Sequence, residues 1–256
     1  MIGTAHSDQK RIGVLSSNDK KYELLRTTIK REYGSLEDTI DLEDLLNSCQ
    51  GTMYRKYRIC LALRLSYAVL QFYLTSWINP KWGWKDFTTV INGNKPQHDD
   101  PLFITQNFYS KWRQGSKSET QAAMSFGLWA GVGEETLTRL GFALIELGLS
   151  RPLSELRKDG SIEPDPRMDM TSDPDILDFC TAEGILDSGR LSDEQGEDYE
   201  EVVRVLIKHQ FMENCKPKRL NSRKASFYRD VERQVIVPLY SVWTDSWEKR
   251  ASHLSL

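Results

Sequence analysis

Apolar residues recur at helical spacing in several stretches of the chain. The longest runs from Arg55 to Ser76, where Ile59, Ala62, Leu63, Leu65, Ala68, Val69, Phe72 and Tyr73 cover most of a helix's circumference. A helix that is apolar nearly all round lies deep in a core. In Glu134–Leu149, Leu137, Leu140, Leu144 and Leu147 share one face, Gly141 and Gly148 admit close neighbours, and Pro152 follows the end. Ile176–Leu186 predicts another helix. Tyr199–Phe211 predicts an amphipathic one through Val202, Val203, Leu206 and Ile207. A last helix is expected at Ser226–Val237, which Pro238 must end or kink. Leu63, Leu70, Leu140, Leu144, Leu147 and Leu206 are the expected core.

Between these helices the pattern changes. Tyr22–Tyr33 suits a short helix behind a frayed leader. Asp41 suits the cap of a short helix, with Asp44 three residues on. Asp86–Ile91 holds β-formers and runs into Asn92-Gly93-Asn94, which predicts a short strand or hairpin. Residues 93–133 read as a long surface loop around Gly115-Ser116-Lys117-Ser118. Residues 158–175, with three prolines and six carboxylates, read as another loop. The fold class is therefore mainly α, with at most a short β-hairpin. A partly disordered leader is expected over 1–38, a helical domain over 39–243 and a tail over 244–256.

Composition narrows the role. A net charge of −3 with both signs mixed lacks the cationic excess that nucleic-acid binding needs. Ile59–Leu74 carries Arg64 at its middle and is shorter than a membrane span, so no membrane partner is expected. The first 21 residues have no apolar run and no secretory signal. Cys49, Cys60, Cys180 and Cys215 lie far apart and suit a reducing compartment, cytoplasmic or nuclear.

Catalytic chemistry has little to stand on. The chain has no phosphate-binding G-x-x-x-x-G-K-[ST] or G-x-G-x-x-G, no H-E-x-x-H and no G-x-S-x-G. Its four histidines show no helical pair spacing, and His209 reads as a boundary or surface residue. Asp165, Asp169, Asp173, Asp175 and Asp178 are too widely spaced, and too interrupted by proline, for a calcium loop. No cofactor and no metal are expected.

Three stretches together resemble the C-terminal lobe of a protein kinase. Leu42–Leu46 followed by Arg58–Leu63 and Leu70-Gln71-Phe72 is similar to the approach to the catalytic loop in tyrosine-kinase-like kinases. Leu140-Gly141 to Glu146-Leu147, then Arg151-Pro152-Leu153, resembles that lobe's buried central helix. Tyr199–Phe211 and the final helix are similar in order to its last helices. More closely, the chain resembles a fungal family of uncharacterised domains found C-terminal to HeLo-type or prion-inhibition domains. Thr75–Ile78, Trp82, Lys85-Asp86-Phe87, Pro101–Ile104 and Val235–Leu239 add to that match. The resemblance implies a role in heterokaryon incompatibility, and structural signature residues at Trp77, Trp82, Asp86, Leu140, Gly141 and Glu146.

The kinase chemistry itself is missing. There is no H-R-D ahead of a suitably placed Asn and no D-F-G, and too little chain precedes Leu42 for a nucleotide-binding lobe. Thr136 stands where the central helix usually begins with Asp. Asp86 reads as a turn or cap residue before a strand. Trp77 and Trp82 are expected to fill the space that a kinase keeps open for substrate. The expected function is a non-catalytic interaction or scaffold domain with a protein partner. The alternatives are a pseudokinase-like domain that still binds a nucleotide, or a helical enzyme with an unrecognised site. Lys216, Lys218, Arg219, Arg223 and Lys224 form a basic connector or contact loop. Ser226 beyond it would cap the last helix and suits a basophilic kinase.

Overall fold

The computed structural model describes residues 10–17, 20–26, 39–49, 53–73, 75, 77–90, 102–105, 134–160, 162–163, 165–169, 171–213, 216–218 and 226–251. It is mainly helical. Helix α1 spans Leu42–Ser48, α2 Arg55–Phe72, α3 Glu135–Leu149, α4 Leu153–Leu156 and α5 Pro166–Asp169. Next come α6 Pro174–Asp187, α7 Arg190–Gln195, α8 Glu197–Lys208, α9 Ser226–Val231 and α10 Val237–Ala251. No helix among the described residues is long and apolar enough to cross a membrane.

Helix α3 is the centre. Its buried residues run right round its circumference, from Leu137 and Thr138 through Leu140, Ala143, Leu144 and Ile145 to Leu147. A helix of that kind needs neighbours on every side, and α2, α6, α7 and α8 supply them. Gly141 lets α8 approach: a Cβ there would lie 2.6 Å from Ile207 Cδ1. Gly148 does the same for Leu191 of α7. Helix α10 closes the bundle against α2 and α8.

A buried helix end leaves carbonyls that need donors. The α3 end finds donors on two other helices, and a third adds one to an interior carbonyl just before it. Arg58 of α2 and Gln195 of α7 both donate to the Gly148 carbonyl, Gln195 at 2.7 Å. Tyr199 of α8 donates to the Leu144 carbonyl at 2.8 Å. Burial pushes the Tyr199 phenol well above its ordinary range and draws the Arg58 guanidinium down. Arg55 reaches the Glu194 and Gln195 carbonyls at 3.2 and 2.5 Å, which ties α2 to the end of α7.

Strands β3 (Thr39–Asp41), β4 (Phe87–Val90) and β5 (Leu102–Ile104) form an antiparallel sheet in that order. Phe87 and Thr89 face the core, and β5 lies beside α2. Asp41 ends β3 and caps α1, accepting a 2.8 Å hydrogen bond from the Asp44 amide. Asp41→Ala should therefore cost about 1 kcal/mol, read as a lowered urea midpoint.

Several expectations are corrected. Strand content exceeds one short hairpin. Besides the sheet, β1 (Lys10–Ser17) pairs with β2 (Lys20–Arg26), and β6 (Phe211–Glu213) with β7 (Lys216–Lys218). The expected helix at Tyr22–Tyr33 is strand over its described part, and the expected leader holds a hairpin. Phe211 opens β6, because the preceding helix stops at a left-handed His209 with φ 50°. A short helix, α5, interrupts the acidic loop. Leu70 is half-buried where full burial was expected, while Leu63, Leu140, Leu144, Leu147 and Leu206 are buried. Pro238 does not end the last helix. A π-helical turn over Glu232–Ile236 precedes it, and α10 runs past residue 243 to Ala251. Proline lacks the amide that would bond the carbonyl four residues back, at Gln234, and the widened turn absorbs the misfit. Ser226 is the first residue of α9.

Candidate functional site

The segment from Trp82 to Asp86 lies along α3 and is pinned at two heights. Trp82 is 3% exposed, packs edge-on against Phe87 at 5.2 Å, and donates Nε1 to the Thr136 carbonyl at 3.3 Å. Two residues on, Trp84 donates its Nε1 to Glu146 Oε2. Thr136 and Glu146 are separated along α3 by about 15 Å at helical rise. Between Trp82 and β4, a 3₁₀ turn over Trp84–Asp86 is closed by Asp86, whose Oδ2 accepts from the Gly83 amide at 2.9 Å. Asp86 is thus a cap before a strand, as its sequence context suggests.

Glu146 sits at the floor of a cavity of about 370 Å³ between α1, the 3₁₀ turn, the end of α3 and α4. Its second oxygen accepts the Leu153 amide at 2.7 Å, the first amide of α4. Ser150, with left-handed φ 56°, turns the chain from α3 toward α4 and lines the same cavity. Leu46, Trp84 and Pro152 give the walls apolar surface, and Glu43, Arg151 and Glu155 stand at the sides. Among the described residues no cation pairs with Glu146. Arg151 is taken by Asp159 at 2.8 Å and Glu155 at 3.8 Å, and Lys85 by Glu43 at 3.0 Å. Burial pushes the Glu146 carboxyl up to about 7. The Leu153 and Trp84 donors oppose that rise, and the Asp178 charge adds to it.

A second feature is more exposed. Arg64, Tyr67, Ala68 and Gln71 form an i, i+3, i+4, i+7 stripe on α2. The stripe faces strand β5 across an open groove of about 410 Å³. Tyr67 and Phe103 are each 49% exposed, and Leu102 and Ile104 are half-buried. Trp77, 44% exposed, extends this aromatic surface through Phe72, with ring centroids 6.4 Å apart. Strand β5 is at the edge of its sheet, so one side of its backbone has no strand partner among the described residues.

The expected signature residues divide accordingly. Trp82 is buried as expected, but Trp77 is not: the chain leaves α2 at Tyr73, and Trp77 is 44% exposed beside Phe72 rather than in the core. Leu140 and Gly141 are packing residues against α8 and its neighbours. Glu146 belongs to the cavity. Its partner Trp84 was legible only as one of three clustered tryptophans, since the contact joins residues 62 apart in sequence. Phe103 was visible only within the Pro101–Ile104 segment of the resemblance, and Tyr67 carried no signal of its own. Of the basic residues, Lys216 and Lys218 fall in β7, while Arg219, Arg223 and Lys224 lie outside the described residues.

No family model, curated protein or solved structure matches the chain. The kinase-lobe and fungal-family resemblances therefore rest on their motif residues alone. Among the described residues, no group of three or more His, Cys, Asp or Glu side chains is placed to hold a metal ion. His209 shares a 2.8 Å hydrogen bond with the Thr138 hydroxyl, and burial draws its imidazole down to about 4, against a smaller upward pull from Glu134.

Proposed function

We propose that this chain is a non-catalytic protein-interaction domain, which takes an extended segment of a partner protein along the groove between α2 and β5. The observation that carries the reading is the exposed aromatic groove beside a sheet edge. An extended peptide can extend such a sheet by backbone hydrogen bonds and place alternate side chains in the groove. Tyr67, Phe72 and Phe103 suit apolar or aromatic residues at every second position. Exposed aromatic surface of this kind is typical of binding sites.

The absence of nucleotide, metal and hydrolase motifs supports a role without chemistry. The Glu146 cavity gives no support to a retained nucleotide, because Glu43, Glu146 and Glu155 would face its phosphates. A setting in fungal non-self recognition draws on the motif resemblance. A cytoplasmic or nuclear location draws on the sparse cysteines.

Selection from a library of displayed ten-residue peptides tests the reading. The wild type should enrich sequences with apolar or aromatic residues at alternate positions. Binding of the selected peptides should fall at least about tenfold in Tyr67→Ser/Phe103→Ser, as loss of aromatic anchors does. No enrichment, or full binding by the double variant, would count against it.

A further inference from the structure

We infer that the cavity between α1, the 3₁₀ turn and α4 is a binding site for a small hydroxylated primary amine, with the ammonium on Glu146 and a hydroxyl on Ser150. The reading is independent of the groove. It begins with the carboxylate. Glu146 Oε2 takes the Trp84 indole N–H, and Oε1 takes the Leu153 amide. Two N–H donors favour the ionised carboxyl. Each oxygen still has room for another donor, since an ionised carboxylate accepts about four hydrogen bonds. The described cations near it are engaged elsewhere, Lys85 by Glu43 and Arg151 by Asp159 and Glu155. Glu146 is half-buried and lines the cavity, so a ligand there can reach it. An ammonium would supply both further donors and the missing charge.

A second observation comes from Ser150, the left-handed residue that ends α3. It is only 7% exposed and lines the same cavity, yet its hydroxyl bonds no protein group among the described residues. A buried hydroxyl left without a partner costs free energy, and a hydroxyl brought into the cavity would satisfy it. Asn47 of α1 and Ser154 of α4 stand exposed at the rim and extend the polar lining.

The lining also selects the class of ligand. Three carboxylates, Glu43, Glu146 and Glu155, face one cation, Arg151. That balance repels phosphates and carboxylates and attracts a cation. A metal ion fits poorly, because no group of three His, Cys, Asp or Glu among the described residues is placed to hold one. Leu46, Trp84 and Pro152 offer apolar surface that carbon can cover and a hydrated ion cannot. A quaternary ammonium has no N–H to give Glu146. A cavity of about 370 Å³ takes a molecule of amino-alcohol or amino-sugar size.

NMR titration of the intact chain at neutral pH tests the site, with ethanolamine, serinol and glucosamine as probes. The signals followed are the Ser150 and Leu153 amides and the Trp84 indole N–H. At least one probe should shift them saturably in the millimolar range. Its neutral counterpart (ethylene glycol, glycerol or glucose) should bind at least about tenfold more weakly, as should tetramethylammonium. Glu146→Gln should weaken the active probe by at least about tenfold. Ser150→Gly suits the left-handed backbone, removes the hydroxyl and should weaken it about three- to tenfold. Should Glu146→Gln fail to fold, Ser150→Gly and the neutral counterparts decide. Saturable shifts from none of the three probes overturn the site. So does equal binding of amine and neutral counterpart, or wild-type affinity in Ser150→Gly.

Discussion

Leu144→Ala should destabilise the protein by about 2–5 kcal/mol, measured by urea unfolding. Leu144 is fully buried on the central helix, and its carbonyl accepts the Tyr199 phenol. Neighbours from several helices surround α3, so little can collapse into the space that a lost isobutyl group leaves. A domain's whole stability is only about 5–15 kcal/mol, so the effect is large. Leu70→Ala, at a half-buried position on α2, should cost clearly less. Equal losses at the two sites would place α3 at the surface of the bundle rather than its centre.

The pH dependence of stability should change sign between two single variants. His209 has a folded pKa depressed from 6.5 to about 4. Its contribution is fully present above 6.5 and is lost as the pH falls toward 4. Glu146 has a folded pKa raised from 4.5 to about 7. Its contribution is fully present below 4.5 and is lost as the pH rises toward 7. Between pH 4.5 and 6.5 the two slopes oppose, each up to about 1.4 kcal/mol per unit. Over that window the two groups together should leave the wild type a shallow profile. His209→Asn suits the left-handed backbone at that position and should leave stability falling as the pH rises. Glu146→Gln should leave stability rising with pH. The comparison is a set of urea midpoints at half-unit steps, and parallel profiles for all three proteins would remove both groups from the account.

The helices were legible because their signals are local. Leu137, Leu140, Leu144 and Leu147 repeat at helical spacing within one segment, and Asp41 with Asp44 marks a helix start within three residues. The sheet was legible only at β4. Strands β3 and β5 are three residues each, too short to show alternation, and they find their partner from distant parts of the chain. Lys20–Arg26 shows the opposite failure: Leu24 and Leu25 allow a helix by spacing, and pairing with β1 overrides it. At the cavity, Glu146 stood out by resemblance, but Trp84 and the Leu153 amide become its partners only through the packing of α3 against the 3₁₀ turn and α4. The groove is harder still. Neither Tyr67 nor Phe103 was among the expected core or contact residues, and the groove they share forms only where α2 meets the edge strand β5.

The central claim is that a partner segment docks along β5. The most direct measurement is the hydrogen-exchange footprint of a selected peptide on the full chain. The account predicts slowed exchange at the amides of Leu102 and Ile104, which alternate with those bonded to β4 and point to the edge a new strand would pair, with little change around Ser150–Leu156. Protection confined to Ser150–Leu156, or spread with no focus on β5, would contradict it.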